Sequence, residues 1–296
     1  MKLSPHNLRF FAEFLRRESG IVVSEDKEYL IASRLGPLAK RAGKKSVDDL
    51  LSDLRTRSTS ALRTEVIEAM TTNETTFFRD LHPFNALQEQ LLPDILEANR
   101  AERELSIWSA AASTGQEAYT VSILLRESFP ELQDWKVRIV ASDISEDVLD
   151  RARDGRYQQH EVNRGLPTPL LRKYFERSGD DWVVHDTVRK SVEFLRINLI
   201  APFPRSLPAF DIVLLRNVLI YFDTDTKRDI LRRVRRVMKP HAVVMLGAAE
   251  TTIGIDSALE RVELDHTSVY RIQSKASESR YDLRNRAVQT PDQSVL

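Results

Sequence analysis

The stretch WSAAASTGQEAYT, Trp108 to Thr120, decides the fold. The short apolar run Leu105 to Trp108 reads as a strand, small residues follow, and Gly115 opens an amphipathic helix. A glycine between strand and helix lets the backbone pass close to a ligand. A dinucleotide fingerprint, G-x-G-x-x-G, needs three glycines where this stretch has one. A second strand, KVRIVASDI (Lys136 to Ile144), carries Asp143 near its end, where a carboxylate can hold ribose hydroxyls. Together they predict a nucleoside cofactor without a pyrophosphate, which S-adenosylmethionine fits better than NAD. Each residue also has a plainer reading. Gly115 could sit in an ordinary βα turn, and Asp143 could cap the next helix, a job Ser145 could also do.

Around this centre the chain alternates. Strand 105–111, helix 117–128, strand 136–143 and helix 146–154 follow one another, the rhythm of a parallel sheet with crossover helices. It breaks between 157 and 198, where short alternating runs flank a turn at Gly179 and predict a small antiparallel insertion. It resumes with FDIVLLRN (210–217), a helix over 224–238 and a strand over 242–249; a hairpin, 259–264 and 267–272, closes the sheet. Before residue 100 no strand-like alternation occurs. Leu8, Phe11 and Leu15 form one apolar face ending near Gly20. Ser24 is expected to cap a second helix with Glu25 and Asp26 in its first turn, Ile31, Leu35, Leu38 and Ala42 inside, and Gly43 closing it. VDDLLSDLR and ALRTEVIEAM add two more helices, so a helical unit of roughly seventy residues precedes the α/β part and needs a neighbour to dock on. The expected layout is an all-α domain over 1–72, a doubly wound Rossmann-like domain over 73–273 with its insertion over 157–198, and a polar, disordered tail over 274–296.

The chain has 296 residues, 42% hydrophobic and 30% charged, enough for a sizeable core under a solvated surface. Its 44 basic and 44 acidic side chains balance to a formal charge of +0, which weakens nucleic-acid binding as a function. Without cysteine there is no disulfide and no cysteine-ligated metal. The N-terminus reads as an amphipathic helix, not a signal peptide, and no window reaches the length of a membrane span. A cytoplasmic protein without a metal is expected.

Further groups carry chemistry. Glu117, in the first turn after Gly115, could accept from a cationic ligand group or simply complement the helix dipole. TTNETTFFRD (Thr71 to Asp80) sets Asn73, Thr75 and Arg79 around two phenylalanines, as a segment held against a pocket would, or as a helix start capped by Thr72 or Asn73. In RNVLIYFD, Arg216 and Asn217 emerge at the end of a strand and Tyr221 follows one helical turn later; Phe222 reads as core. Arg232, Arg233, Arg235 and Arg236 read as the solvated face of their helix. Lys27, Arg34 and Arg41 recur every seven residues and, with Lys44 and Lys45, form a basic ridge that is either plain surface or a dock for an acidic partner helix.

TTNETTFFRD, WSAAASTGQEAYT, ASDIS, EVNRGLP (Glu161 to Pro167), INL, LLRNVLIYFD and LGAAET together resemble the chemotaxis receptor methyltransferases, the CheR family, from about residue 4 to 272. The resemblance implies a helical domain, a methyltransferase domain and an inserted antiparallel subdomain. It implies methyl transfer from S-adenosylmethionine to glutamate side chains on the cytoplasmic helices of chemoreceptors, tuning adaptation and leaving S-adenosylhomocysteine. Carried over by position, Asn73, Thr75, Arg79, Ala111 and Gly115 resemble cofactor contacts, Glu117 the contact at the methionine end and Asp143 the ribose ligand. Asn198, Leu199, Arg216 and Asn217 complete the pocket, and Arg79 and Tyr221 match residues that orient the acceptor carboxylate. The basic helix with Lys27, Arg34 and Arg41 is implied to touch the receptor, the protein acting as a monomer without nucleic acid or membrane insertion. Two positions depart from the pattern: Ala112 stands where many relatives have cysteine, and the loop at Gly179 is short and not glycine-rich, which argues against gripping a tethered receptor peptide.

Chemistry agrees with an anionic acceptor. Methyl transfer from a sulfonium mainly requires positioning, and a glutamate is already ionised at neutral pH. None of the six histidines falls in these motifs, whereas an amine or hydroxyl acceptor more often needs a base. Competing readings are a non-catalytic cofactor sensor, and a methyltransferase of the same fold acting on another protein, a nucleic acid or a small molecule.

Overall fold

The computed structural model describes residues 3–24 and 27–273. The expected tail from 274 onward lies outside the described residues, as do Glu25 and Asp26. Helix α1 (Pro5–Ser19) is capped by Ser4, whose Oγ accepts from Asn7 N, and Gly20 closes it in the left-handed region at φ 78°. Helix α2 begins later than expected, at Glu28, and runs to Arg41. Lys27, not Ser24, stands at its cap position without a side-chain cap bond, and Lys27 N donates to Ser24 O. Ala42 is exposed and Ala39 takes its place in the core. Helices α3 (Val47–Arg57) and α4 (Ser60–Met70) carry side-chain caps from Ser46 and Thr59. Phe11, Phe14, Leu15, Ile31, Leu35 and Leu50 form the core of this helical unit.

Residues 71–81 then run without regular structure into α5 (His82–Ala86), a π turn (Leu87–Leu91) and α6 (Leu92–Ala98). The α/β part follows as β1 (Glu104–Ala110), α7 (Gln116–Ser128), β2 (Lys136–Asp143), α8 (Glu146–Asp154), β3 (Arg156–Gln158), α9 (Gln159–Val162), α10 (Thr168–Tyr174), β4 (Phe175–Ser178), β5 (Asp181–Val184) and α11 (Asp186–Arg189). It ends with β6 (Val192–Arg196), β7 (Phe210–Leu215), α12 (Thr224–Arg235), β8 (Met238–Leu246), β9 (Leu259–Leu264) and β10 (Thr267–Ile272).

Seven strands form one sheet in the order β6-β2-β1-β7-β8-β10-β9. The first five pair in parallel, and β10 pairs antiparallel with both β8 and β9. A separate antiparallel sheet, β3-β5-β4, is the insertion. One strand expected inside that insertion is not in it: Val192–Arg196 pairs with β2 at the edge of the main sheet. Strand β8 starts four residues before expectation because Met238 pairs with Phe210 ahead of a bulge, so α12 ends at Arg235 and not at 238.

From β1 the chain winds to β2 and β6 on one side and returns to β7 and β8 on the other. The order therefore reverses between β1 and β7, and ligands of such sheets bind beside the carboxyl ends of the strands at that reversal. At the amino end of β7, fully buried Asp211 accepts from Ser106 N, Asn99 Nδ2, Lys239 Nζ and His241 Nε2 at 2.7–2.9 Å. That network satisfies a carboxylate which would otherwise be costly to bury. Among the described residues no helix is long and apolar enough to cross a membrane.

Candidate functional site

A cavity opens at the carboxyl ends of β1, β2 and β7. The loop after β1 forms its floor. Ala111 (φ 59°) and Ser113 (φ 52°) both adopt left-handed backbone, and Ala112 N donates to Ser142 O at 2.8 Å, so the loop folds back across β2. Ala111, Ala112 and Ser113 line the cavity; Gly115 does not. Of the two readings of Gly115, its geometry explains the βα turn. Gly115 sits at φ 93°, and an added Cβ would lie 2.9 Å from Ala152 Cβ and 3.3 Å from Tyr119 and Tyr157. This glycine makes a turn and lets α7 pack against α8, and the ligand wall lies in the residues before it. Tyr157, wholly buried in β3, donates from Oη to Thr114 O at 2.6 Å and so props the loop from below.

Two acids line the cavity in different surroundings. Asp143 is buried at the end of β2 and accepts from Ser113 N at 2.9 Å and Ser145 N at 3.1 Å. Burial raises its carboxyl above the ordinary aspartate value, and the backbone N–H groups oppose that rise in part. The cap of α8 is Ser145, so Asp143 remains at the cavity wall. Glu117 accepts from Ser109 Oγ (2.8 Å) and from Arg216 Nη1 (2.9 Å). One donor per oxygen leaves a carboxylate further acceptor capacity toward a ligand. The Arg216 side chain, 1% exposed, also holds Asp80 Oδ2 and Arg79 O at 2.9 Å each and lies 5.3 Å from the Phe84 ring centroid. Its Nε is buried with no hydrogen-bond partner among the described residues.

The irregular segment after α4 forms a strap over the cavity, and Thr71 to Thr75 all line it. Ser113 Oγ donates to Asn73 O (2.8 Å), and Arg79 Nη1 donates to Glu74 O (2.9 Å), using one of five guanidinium N–H groups. Beyond the strap, Phe77 anchors the chain, its ring edge-on to Tyr157 and Phe175 at 5.1 and 5.5 Å. Gly165 of the EVNRGLP stretch backs onto it so closely that a Cβ there would meet Phe77 O at 2.0 Å. Phe78, Asp80 and Leu81 take positive φ, as do Ala111, Ser113 and Asn217. Strained backbone of this kind persists where a site over-determines it.

The far wall comes from the ends of β6 and β7. Asn198 donates from Nδ2 to Glu18 O (2.7 Å) beside Leu199. Asn217 (φ 58°) and Gly247 both donate their backbone N–H to Glu250 Oε2 at 2.7 Å, and Ile220 N donates to Oε1 at 3.2 Å. Tyr221 lies in a 3-10 turn (Leu219–Tyr221) and not one α-helical turn after Asn217, yet both line the cavity. Phe222 is buried, as expected of a core residue. The helical unit contributes as well: Ser19 and Ile21 line the cavity, Ile21 bridges Phe222, and Val22 N donates to Tyr221 O at 2.9 Å.

The structure thus brings together Asn73, Thr75, Arg79, Ala111, Glu117, Asp143, Asn198, Leu199, Arg216, Asn217 and Tyr221 around one cavity. Sequence reasoning missed Ser113 and Ile144, direct neighbours of residues it named, and Ser19 and Ile21, which arrive from a distant helix. It also missed Glu250, whose signal was the LGAAET motif. The cavity fits a nucleoside ligand bearing a charged tail: one carboxylate at the end of β2 and one in the first turn of α7, an arginine Nε without a hydrogen-bond partner among the described residues, and apolar Ile144, Ile197 and Leu199 beside them.

Comparison with known proteins points the same way. A family model described as the CheR methyltransferase SAM binding domain matches residues 73–268, and one for the CheR methyltransferase all-alpha domain matches residues 6–71. Chemotaxis protein methyltransferase 1 of Pseudomonas aeruginosa is 39% identical over 275 residues, covering 92% of this chain and 99% of the relative. Chemotaxis protein methyltransferase Cher2 of Pseudomonas putida is 37% identical over 276 residues, 91% of this chain and 99% of that one. Chemotaxis protein methyltransferase 1 of Vibrio cholerae is 38% identical over 274 residues, 91% of this chain and 98% of that one.

Proposed function

The chain belongs to the CheR methyltransferase family, an S-adenosylmethionine-dependent group, and we propose that it methylates glutamate side chains on the cytoplasmic helices of chemoreceptors, giving glutamyl methyl esters. The observation that carries this reading is the cavity itself, lined by Glu117 from the first turn of α7, Asp143 from the end of β2, and both Arg79 and Tyr221. Bound there, S-adenosylmethionine supplies a methyl group activated by a sulfonium centre.

The chain's own residues then have positional work. Glu117, held by Ser109 and Arg216, receives the cationic amino-acid end, and Asp143 receives ribose hydroxyls. Asn73, Thr75, Ala111, Asn198, Leu199 and Asn217 wall the ligand in, while Arg216 acts by fixing Glu117. Arg79 and Tyr221 orient the acceptor carboxylate. Among the described lining residues none is histidine, and an ionised glutamate needs orientation and no deprotonation. A receptor helix docks on the basic face of α2 through exposed Lys27 and Arg41. Residues 1–72 serve as the receptor-contact domain and 73–273 as the methyltransferase domain, acting as a monomer in the cytoplasm.

Incubation with methyl-labelled S-adenosylmethionine and receptor cytoplasmic fragments tests this directly. Base-labile label on receptor glutamates is expected. Label that survives mild base, or that appears on another class of acceptor, overturns it.

A further inference from the structure

Arg34 belongs by sequence to the basic ridge of α2, the face proposed to meet the receptor. Its guanidinium is already engaged elsewhere. Nη1 donates to Met70 O and to Thr71 O (2.8 Å), and Nη2 donates to Thr72 Oγ1 (2.7 Å). Met70 ends α4, so its carbonyl has no partner within the helix, and a cation is favoured at that end. Thr71 and Thr72 are the first two residues of the strap, and both line the cofactor cavity.

The other members of the ridge behave differently. Among the described residues Arg41 pairs only with Glu65, at 3.9 Å, with its side chain 68% exposed, and Lys27 is exposed. Lys44 pairs with Asp53 within the helical unit. One residue of the ridge therefore reaches the cofactor wall, and it does so through a planar fork that meets three oxygens at once.

The strap has no helix or strand to define it, so its course over the cavity depends on the side chains that hold it. Ser113 and Arg79 hold its middle, at Asn73 O and Glu74 O. Arg34 holds its beginning. We infer that Arg34 is a positioning residue of the cofactor site, acting from α2 through the 71–75 strap, and that receptor contact is left to its neighbours on the ridge. This rests on the reading of the cavity as the S-adenosylmethionine site, and it divides one sequence feature into two functions.

The test is calorimetric titration of S-adenosylhomocysteine into the full chain with no receptor present, alongside the melting temperature of the ligand-free protein. Arg34→Ala should weaken binding about tenfold, and Arg34→Lys, which keeps the charge but not the fork, should recover part of that loss. In steady state the KM for S-adenosylmethionine should rise by about the same factor, with the KM for receptor fragments within about twofold of wild type. Unchanged S-adenosylhomocysteine affinity with a raised receptor KM would make Arg34 a receptor contact and overturn the inference. So would a loss of affinity that merely tracks a lower melting temperature, with lysine no better than alanine. If the wild-type protein labels no receptor fragment, the methylation reading fails, yet the titration still decides the role of Arg34.

Discussion

Asp143 ends β2 and Glu117 lies in the first turn of α7, and their surroundings give the two acids different work. Glu117 shares its charge with buried Arg216. Among the described residues Asp143 accepts from backbone N–H groups of the loop and the start of α8, and burial raises its pKa. The folded protein therefore holds that proton to higher pH than the unfolded chain does. Its contribution to stability is fully present below the ordinary value of 3.8 and is lost as pH rises through the folded value. Glu68 is raised in the same direction by burial, so a single pH scan cannot separate the two. Comparing wild type with Asp143→Asn does. The ligand-free variant should lose less stability than wild type between about pH 4 and pH 7, while its affinity for S-adenosylhomocysteine falls about tenfold. Melting curves of both proteins across that range decide it, and parallel curves would refute the assignment. Asp143 was legible because strand ends in wound sheets face ligands. For Gly115 both readings stayed open, because the packing reason for the turn, the Cβ of Ala152, belongs to α8 and is invisible from the loop's own sequence.

At the scale of elements, sequence pattern located β1, α7, β2, α8, β9 and β10 within a residue or so, since each is an apolar-rich run bounded by turn signals, whether buried almost throughout like β1 and α7 or on one face like α8. It failed where a partner decides. Val192–Arg196 is a strand of the main sheet because the edge of β2, some fifty residues earlier by sequence number, accepts it, and no local pattern announces that. Glu250 is a comparable case. One carboxylate gathers the N–H groups of Asn217, Ile220 and Gly247, so the end of β8 sets the course of the turn that carries Asn217 and Tyr221. Gly247 is required there, because a Cβ would fall 2.6 Å from Asn217 Nδ2. Glu250→Gln keeps the shape but turns an amide NH2 toward backbone donors. Turnover should drop about tenfold for a melting temperature lower by only a few degrees, about 1–2 kcal/mol at this chain length. Steady-state transfer rates with a parallel melt check it; kcat within twofold of wild type would show that the turn holds itself.

At the scale of the molecule, the cavity lies at a joint. From the helical unit, Ser19 and Ile21 enter its wall, Glu18 O takes the Asn198 amide, Val22 N bonds Tyr221 O, and Glu68 accepts from Glu146 N at the start of α8. Arg16 pairs with Asp223 at 2.8 Å, and Gly20 leaves 2.7 Å between its absent Cβ and Ile200. Composition could say that so small a helical unit needs a neighbour, but the contacts are scattered single residues with no common pattern, so the interface could not be read in advance. Its consequence is cooperative. A ligand that touches both sides of the joint stabilises both, so the two units should unfold together and shift together. The three tryptophans, Trp108, Trp135 and Trp182, all belong to the α/β part, while far-UV circular dichroism also sees α1 to α4. The two signals should therefore give coincident melts. S-adenosylhomocysteine at a hundred times its Kd adds ~2.7 kcal/mol, a rise of about 5–10 °C in both. An early loss of helix signal that the ligand leaves in place would mean that the helical unit melts alone, and that the cavity needs less of it than the contacts at Ser19, Ile21 and Asn198 imply.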